Sequence, residues 1–288
     1  MSDGNPLGEY LRARRELVTP DDVGLPATGT RRVPGLRREE VALLAGVSAD
    51  YYLRLEQGRE RHPSPQVLQS LAQVLRLDAA ATGYLLGLVG ARVVRHRRRP
   101  ARERVPEGVR KLLGTLPLPA FVEGRYFDVL AANDLARALS PRFAVGENRL
   151  EAVFLDPDER ALYPDWEDAT ARLVAGFRDS VGSDTDDPRF VAVVGRLSLA
   201  SERFRRLWAR HDVEAREGRP MVLDHPLVGE LRLNREKLGI DGGSGGLLLT
   251  LYHPDAGSDS ADKLAILASY AVTSTDVPPV RPRPGPTR

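Results

Sequence analysis

The sequence predicts two folded domains of different class: an all-α helix-turn-helix domain, then an α+β domain with a five-stranded antiparallel sheet and helices. Three observations carry that division. Residues 1–105 hold 18 Arg against 12 Asp and Glu, a balance of +6 in a chain of net charge +2, so the remainder is acidic by 4. Apolar residues keep helical spacing up to Gly90, whereas strand-like runs begin only after residue 105. Between them ARVVRHRRRPARER holds seven Arg and Pro100 with almost no apolar periodicity, which reads as a linker. The expected domains are therefore 1–90 and 106–275, joined by an Arg-rich linker over 91–105 and followed by a Pro-rich, basic tail over 276–288 that is expected to be disordered.

Taken in order, Leu7, Tyr10, Leu11 and Leu17 stand at helical spacing and define a first helix over Leu7 to Leu17. Pro20 to Pro34 is a long Gly/Pro-rich connection, closed by a turn at Pro34-Gly35. Arg37 to Ala45 forms the second helix, with Val41 and Leu44 inward and Gly46 placed for the left-handed conformation that ends a helix. Ser48 caps the third, Ala49 to Gln57, which buries Tyr52 and Leu55 and stops at Gly58. Ser64-Pro65 opens a fourth, whose core stripe is Val67, Leu68, Leu71, Val74 and Leu75.

Within this run, Ala42 lets the third helix approach the second, Gly46 permits a short turn, and Val47, Tyr52 and Leu55 lock the crossing. That is helix-turn-helix geometry, and it presents the outer face of the third helix to a major groove. Ser48, Ala49, Asp50, Tyr51 and Arg54 occupy that face and are the base-reading candidates. Arg54 leads, because a bidentate guanidinium on guanine supplies about 1–3 kcal/mol of discrimination; its alternatives are a pair with Glu56 or a phosphate contact. Arg37, Arg38, Arg59 and Arg61, at the ends of the two helices, are expected on phosphates, setting register but not sequence. Glu56 is expected to pair with Arg59 or hold backbone amides. The Arg-rich linker reads equally as a solvated spacer or as a strap along the DNA backbone.

The string PGLRREEVALLAGVSADYYLRLEQGRERHPSPQVLQSLAQVL resembles the bacterial repressor-like, XRE-type helix-turn-helix family. The resemblance implies a sequence-specific regulator of transcription whose partner is double-stranded DNA. One recognition helix reads too few bases for genomic specificity, so a homodimer on two half-sites is expected. The preference for Arg over Lys, 39 to 3, fits a GC-rich bacterial genome.

In the second domain, strand-like runs fall at Ala120–Glu123, Tyr126–Ala131, Met221–Asp224, Glu230–Asn234 and Leu247–Tyr252. Gly124-Arg125 joins the first two and Pro226–Gly229 the third and fourth, as two antiparallel hairpins. Helices are expected at Asn133–Leu139, Asn148–Phe154, Trp166–Ser180, Pro188–Ser198 and Ser201–Arg210. A sheet covered on one face by such helices encloses apolar space in which a small ligand can lodge. Alternation sets Phe127, Val129 and Ala131 on one side of a strand, and Leu231 and Leu233 likewise. Phe154, Trp166, Phe177, Phe204 and Trp208 come from the helices. The ligand-lining candidates are Phe127, Val129, Phe154, Trp166, Phe177, Phe204, Trp208, Leu231 and Leu233; for each, simple core packing is the alternative. Arg149, His211 and His225 are charged or titratable candidates for a polar head, each with a structural pairing to a nearby Asp as its alternative.

PAFVEGRYFDVLAANDLARAL, FLDPDERALYPDW, SERFRRLWARHDV, DHPLVGELRLN and LLLTLYHPDAGS, in that order, resemble the MmyB-like regulator ligand-binding domain. The resemblance implies a PAS-like fold and a small, largely apolar, fatty-acid-like ligand. The departure is Glu147 before Asn148, where relatives are expected to carry Arg. Against ligand sensing stands a second domain that is only a platform for dimerisation and protein contacts.

Other chemistry has no support. With no Cys, a disulfide framework, thiolate metal site and cysteine nucleophile are excluded. The five His form no metal-ligand spacing, and no metal or other cofactor is expected. GGSGG at 242–246 matches a nucleophile-elbow string around Ser244, but a turn precedes it and a strand follows, the reverse of what that chemistry needs. No phosphate-cradling Gly loop is present, and no enzymatic activity is expected. The N-terminus lacks an apolar leader, and no run approaches the roughly 18 apolar residues of a membrane span, so a soluble, cytoplasmic protein is expected.

Overall fold

The computed structural model describes residues 5–25, 35–90, 103–182, 187–214, 218–240 and 246–275. The linker up to residue 102, Pro34, the loop around Ser244 and the tail from residue 276 lie outside them.

The N-terminal helices are α1 (Pro6–Leu17), α2 (Arg38–Ala45), α3 (Ala49–Glu56), α4 (Pro65–Val74) and α5 (Ala79–Gly90). Short polar side chains start four of them by accepting an amide three residues on: Asn5 from Gly8 (3.0 Å), Ser48 from Tyr51 (3.1 Å), Ser64 from Val67 (3.3 Å) and Asp78 from Ala81 (2.8 Å). Gly46 ends α2 at φ 70°, a left-handed value that costs glycine nothing. In α2 it is Ala45, not Leu44, that turns inward; Leu43 and Leu44 are 75% and 39% exposed. The small Val41, Ala42 and Ala45 side of α2 faces the core, which carries the larger leucines round to solvent.

The rest of the chain forms α6 (Glu107–Thr115), β1 (Ala120–Glu123), β2 (Val129–Ala132), α7 (Asp134–Leu139), α8 (Arg149–Leu155), α9 (Pro157–Ala161), α10 (Trp166–Val181), α11 (Pro188–Ala200), α12 (Glu202–Ala209), β3 (Arg219–His225), β4 (Gly229–Gly239), β5 (Leu248–His253) and α13 (Asp259–Thr275). The strands make one five-stranded antiparallel sheet in the order β2-β1-β5-β4-β3, the α+β fold that the sequence predicts.

One detail of the first hairpin differs. Phe127 lies before β2, in a turn closed by Gly124 accepting from Phe127 N (3.1 Å) and by Gly124 N donating to Asp128 O (3.0 Å). Its φ is 65°, a region that costs a side-chain-bearing residue about 1–2 kcal/mol. A register shift between Val122 and Glu123 then sets Glu123 opposite Val129. Phe127, Val129 and Ala131 are all buried, but the shift sets Ala131 opposite Val122 and Val129 opposite Glu123, so the expected single side divides between the two sheet faces.

By its contacts the chain forms two compact units. The first comprises residues 1–102, 153–155 and 165–216. Its core joins Tyr10 and Leu11 of α1, Val41 and Ala42 of α2, Tyr52 and Leu55 of α3, Leu68 and Leu71 of α4 and Leu85 of α5 with Val213, which follows α12. The second comprises 103–152, 156–164 and 217–288. One sheet face there packs Ala120, Val122, Ala131 and Leu249 on Leu113 of α6. The other stacks Phe121, Phe143 and Tyr252, with ring centroids 4.8–6.2 Å apart.

Candidate nucleic-acid interface and ligand-binding face

The α2–α3 corner follows from small residues at the contact and polar caps at the turn. Val47 N donates to Ala42 O (2.9 Å) across the Gly46 bend, and Ser48 starts α3. Ala42 is 2% exposed, and Val41, Tyr52 and Leu55 are fully buried. This leaves Ser48, Ala49, Asp50 and Arg54 exposed and Tyr51 half-buried on the outer side of α3. Arg54 pairs with Asp50 (3.2 Å), and its guanidinium stands 5.9 Å from the centre of the Tyr51 ring. An exposed pair one turn apart contributes only about 0.2–0.5 kcal/mol, so it ties Arg54 down weakly.

Arg37, Arg38, Arg59 and Arg61 are all exposed at the helix ends. Arg61 Nε donates to Gly58 O (3.0 Å). Arg38 is committed further: its Nε lies 2.6 Å from Glu56 Oε2, while Arg15 Nε donates to Oε1 at 2.7 Å. Glu56 thus pairs with Arg15 and Arg38 rather than with Arg59. Burial works to raise its carboxyl, and the bonds from Arg15 and Arg38 outweigh this and hold it below its ordinary value. No local signal in the sequence marks Arg15, which sits on a different helix.

The nine ligand candidates fall in two groups, one in each unit. Phe127, Val129, Leu231 and Leu233 are buried in the sheet unit, at 0–2% exposure. Phe154, Trp166, Phe177, Phe204 and Trp208 belong to the helical unit and pack on one another: Phe154 on Trp166 and Phe204, Phe204 on Trp208, and Trp208 on Phe177, at 5.5–6.1 Å. Phe190 closes that set against Phe177 and Trp208. A groove of about 450 Å³ in the sheet unit is lined by residues of α6, β2 and α7, including Arg110, Leu113, Ala131 and Asn133, and by none of the nine.

The polar candidates are all engaged. Arg149 meets Glu123 at 2.5 Å. His225 Nε2 donates to Ala138 O (3.0 Å) while Nδ1 accepts from Leu227 N (3.2 Å). His211 lies 3.1 Å from Arg178; burial, then the charges of Arg178 and Arg14, push its pKa down to about 3. Glu147, where an Arg is expected, pairs with Arg142 (3.2 Å), and its backbone carbonyl accepts from Val129 N (2.8 Å).

Within the helical unit, α10 and the segment after α12 meet α1 and α5. Arg14 of α1 pairs with Asp212, and the Tyr10 ring lies 6.2 Å from that of His211. Arg178 of α10 donates to Trp208 O (2.5 Å) with its guanidinium 3.8 Å from the Trp208 ring centre.

Residues 6–85 match a helix-turn-helix domain, and residues 105–267 match the MmyB-like transcription regulator ligand binding domain. No curated protein matches the chain. Among the described residues no helix is long and apolar enough to cross a membrane. The second match spans more than half of the chain, so this DNA-binding transcription regulator belongs to the MmyB-like transcription regulator ligand binding domain family, with a helix-turn-helix domain ahead of that domain.

Proposed function

We propose that the chain acts as a homodimer that reads two DNA half-sites with α3 and senses a small, largely apolar, fatty-acid-like molecule through the domain that follows. In this reading Arg54 contacts a guanine, Ser48, Ala49, Asp50 and Tyr51 read neighbouring base edges, and Arg37, Arg38, Arg59 and Arg61 set register on phosphates. The observation that carries it is the shared core of the helical unit. Residues 165–216 lie inside the span matched to a ligand-binding domain, yet Val213 packs among α1, α2 and α5. A ligand that moves α10–α12 therefore acts on the body that holds the reading helix, provided it binds the two states unequally.

A second reading has its own support. Six of the nine candidate lining residues are buried, with Phe154, Trp166 and Trp208 half-buried, and the helix-borne rings fill space against each other, as in a saturated core that serves only as a platform. Native mass spectrometry of the purified chain separates the two. A retained lipid-sized mass supports sensing; a bare mass with no uptake across a lipid panel supports the platform. The same spectra report whether the chain is a dimer.

A further inference from the structure

Helix α11 buries one side and leaves the opposite side bare. Its buried residues are Phe190, Val193 and Leu197, and Phe190 packs on Phe177 of α10 and Trp208 of α12. At about 3.6 residues per turn, the line opposite that side runs through Gly195, with Val191 one turn before it, Leu199 one turn after it and Ala192 beside them. All four are exposed, Val191 at 57% and Leu199 at 87%, the highest value for a large apolar side chain among the described residues. The solvent side of a helix ordinarily carries charge. The only charged residues of α11 are Arg189 and Arg196, and both lie about 100–120° round the helix from Gly195, on one flank.

Nothing among the described residues asks for glycine at 195. Its φ is not positive, and an added Cβ would meet nothing within 4 Å, whereas glycine inside a helix is destabilising relative to alanine. What glycine does offer at the centre of an apolar face is close approach by another backbone. The face is also complementary to itself. Val191 and Leu199 stand four residues either side of Gly195, so a two-fold axis at Gly195, with the helices antiparallel, sets Val191 of each copy against Leu199 of the other. Arg189 and Arg196 then remain on the flank, outside the contact. The longest stretches of the chain outside the described residues, 91–102 and 276–288, are both net basic, and a strip that has arginines on its flank and no carboxylate of its own gives neither of them a charge to pair with.

We propose that α11 is the contact between two copies of this chain; the inference rests on the homodimer reading above. α11 and the reading helix α3 belong to one compact unit, so pairing through α11 acts on the spacing of the two reading helices. One helix per copy buries less than the roughly 800 Å² per partner of a standard interface, so the pair is weak and reversible, forming at micromolar concentrations and reinforced when two half-sites on one duplex hold both copies.

The test is sedimentation equilibrium of the full-length chain across micromolar concentrations, for the parent, Leu199→Arg and Gly195→Gln. The parent is expected to pass from monomer to dimer and no further, because an isologous contact closes at two. Leu199→Arg adds a cation to a face whose only neighbouring charges on α11 are Arg189 and Arg196, and is expected to weaken the dimer about tenfold or more. Gly195→Gln adds bulk at the closest approach but supplies a better helix former, so the dimer is expected to weaken as much while the melting temperature of a dilute, monomeric sample holds or rises. Association unchanged in both variants, or species larger than a dimer, overturns this interface and leaves the homodimer reading standing. A parent that is monomeric throughout also overturns the interface; a duplex bearing the selected site that then carries two chains keeps the homodimer reading, and one that carries a single chain overturns that as well. If such a monomeric parent binds phosphatidylcholine vesicles and Leu199→Arg does not, the face belongs to a lipid surface instead.

Discussion

Glu56 at the end of α3 is joined to Arg15 of α1, 41 residues earlier, by a 2.7 Å hydrogen bond, and its second oxygen takes Arg38 of α2. One buried carboxylate thus fixes the reading helix against both of its neighbours. Arg15 Nη1 also donates to Leu36 O (2.9 Å), so the chain entering α2 is tied to the same point.

Glu56→Gln keeps the shape but leaves Arg15 without its counter-charge. The expected loss is roughly 3 kcal/mol, the low end for breaking a buried pair because Arg38 stays within reach of water. Urea unfolding measures it, and a loss below about 0.5 kcal/mol would place this pair among the weak surface contacts.

Removing phosphate contacts should change salt dependence and not sequence preference. Arg37→Ala combined with Arg59→Ala removes four contacts from the dimer and is expected to flatten the slope of log affinity against log salt by about 3.6, near 0.9 per contact, with the ranking of DNA sequences unchanged. An unaltered slope in a salt titration removes both residues from the backbone-contact set.

Val213→Ala tests the shared core of the helical unit. Val213 is 7% exposed and belongs to the same buried cluster as Leu7, Tyr10 and Leu85, so the truncation is expected to cost roughly 2 kcal/mol, between the ranges for Ile→Val and Leu→Ala. Hydrogen exchange should quicken in α1 and α5 as well as around residue 213. Quickening confined to the segment after α12 contradicts that packing.

His211 supplies a pH dependence. Its pKa stands near 3 in the folded chain against an ordinary 6.5, with burial the main cause, so the unfolded chain binds the proton more readily. The stabilisation is complete above about pH 6.5 and is lost as pH falls from there towards 3. Melting temperature should fall less steeply between pH 7 and pH 5 in His211→Gln than in the parent. Parallel curves would mean that the ring titrates normally.

Much of this was legible from local chemistry. The Ser48 and Ser64 caps, the Gly46 bend and the buried Tyr52 and Leu55 all express rules that act within one turn of helix, and the structure has them where the sequence puts them. Strand β1 is likewise an apolar run bounded by Pro119 and Gly124. What escaped depends on distant partners. α5 is apolar on every side, so no periodicity marks it off. The strand-like run ends at Asn234, whereas β4 continues to Gly239, and Lys237 turns inward to Glu123, 114 positions away, to which no local pattern points. The aromatic candidates looked like one set, yet the sheet and the helices divide them between two units.

The most direct measurement of the central claim is selection of binding sites by the full-length chain from a pool of random DNA duplexes, run in parallel with Arg54→Ala. The expected result is a two-half-site consensus for the parent and, for the variant, about 1–3 kcal/mol weaker binding with preference relaxed at one or two positions per half-site. The same consensus at the same affinity for both chains, or no enriched sequence for either, would contradict a reading helix at Ala49–Glu56.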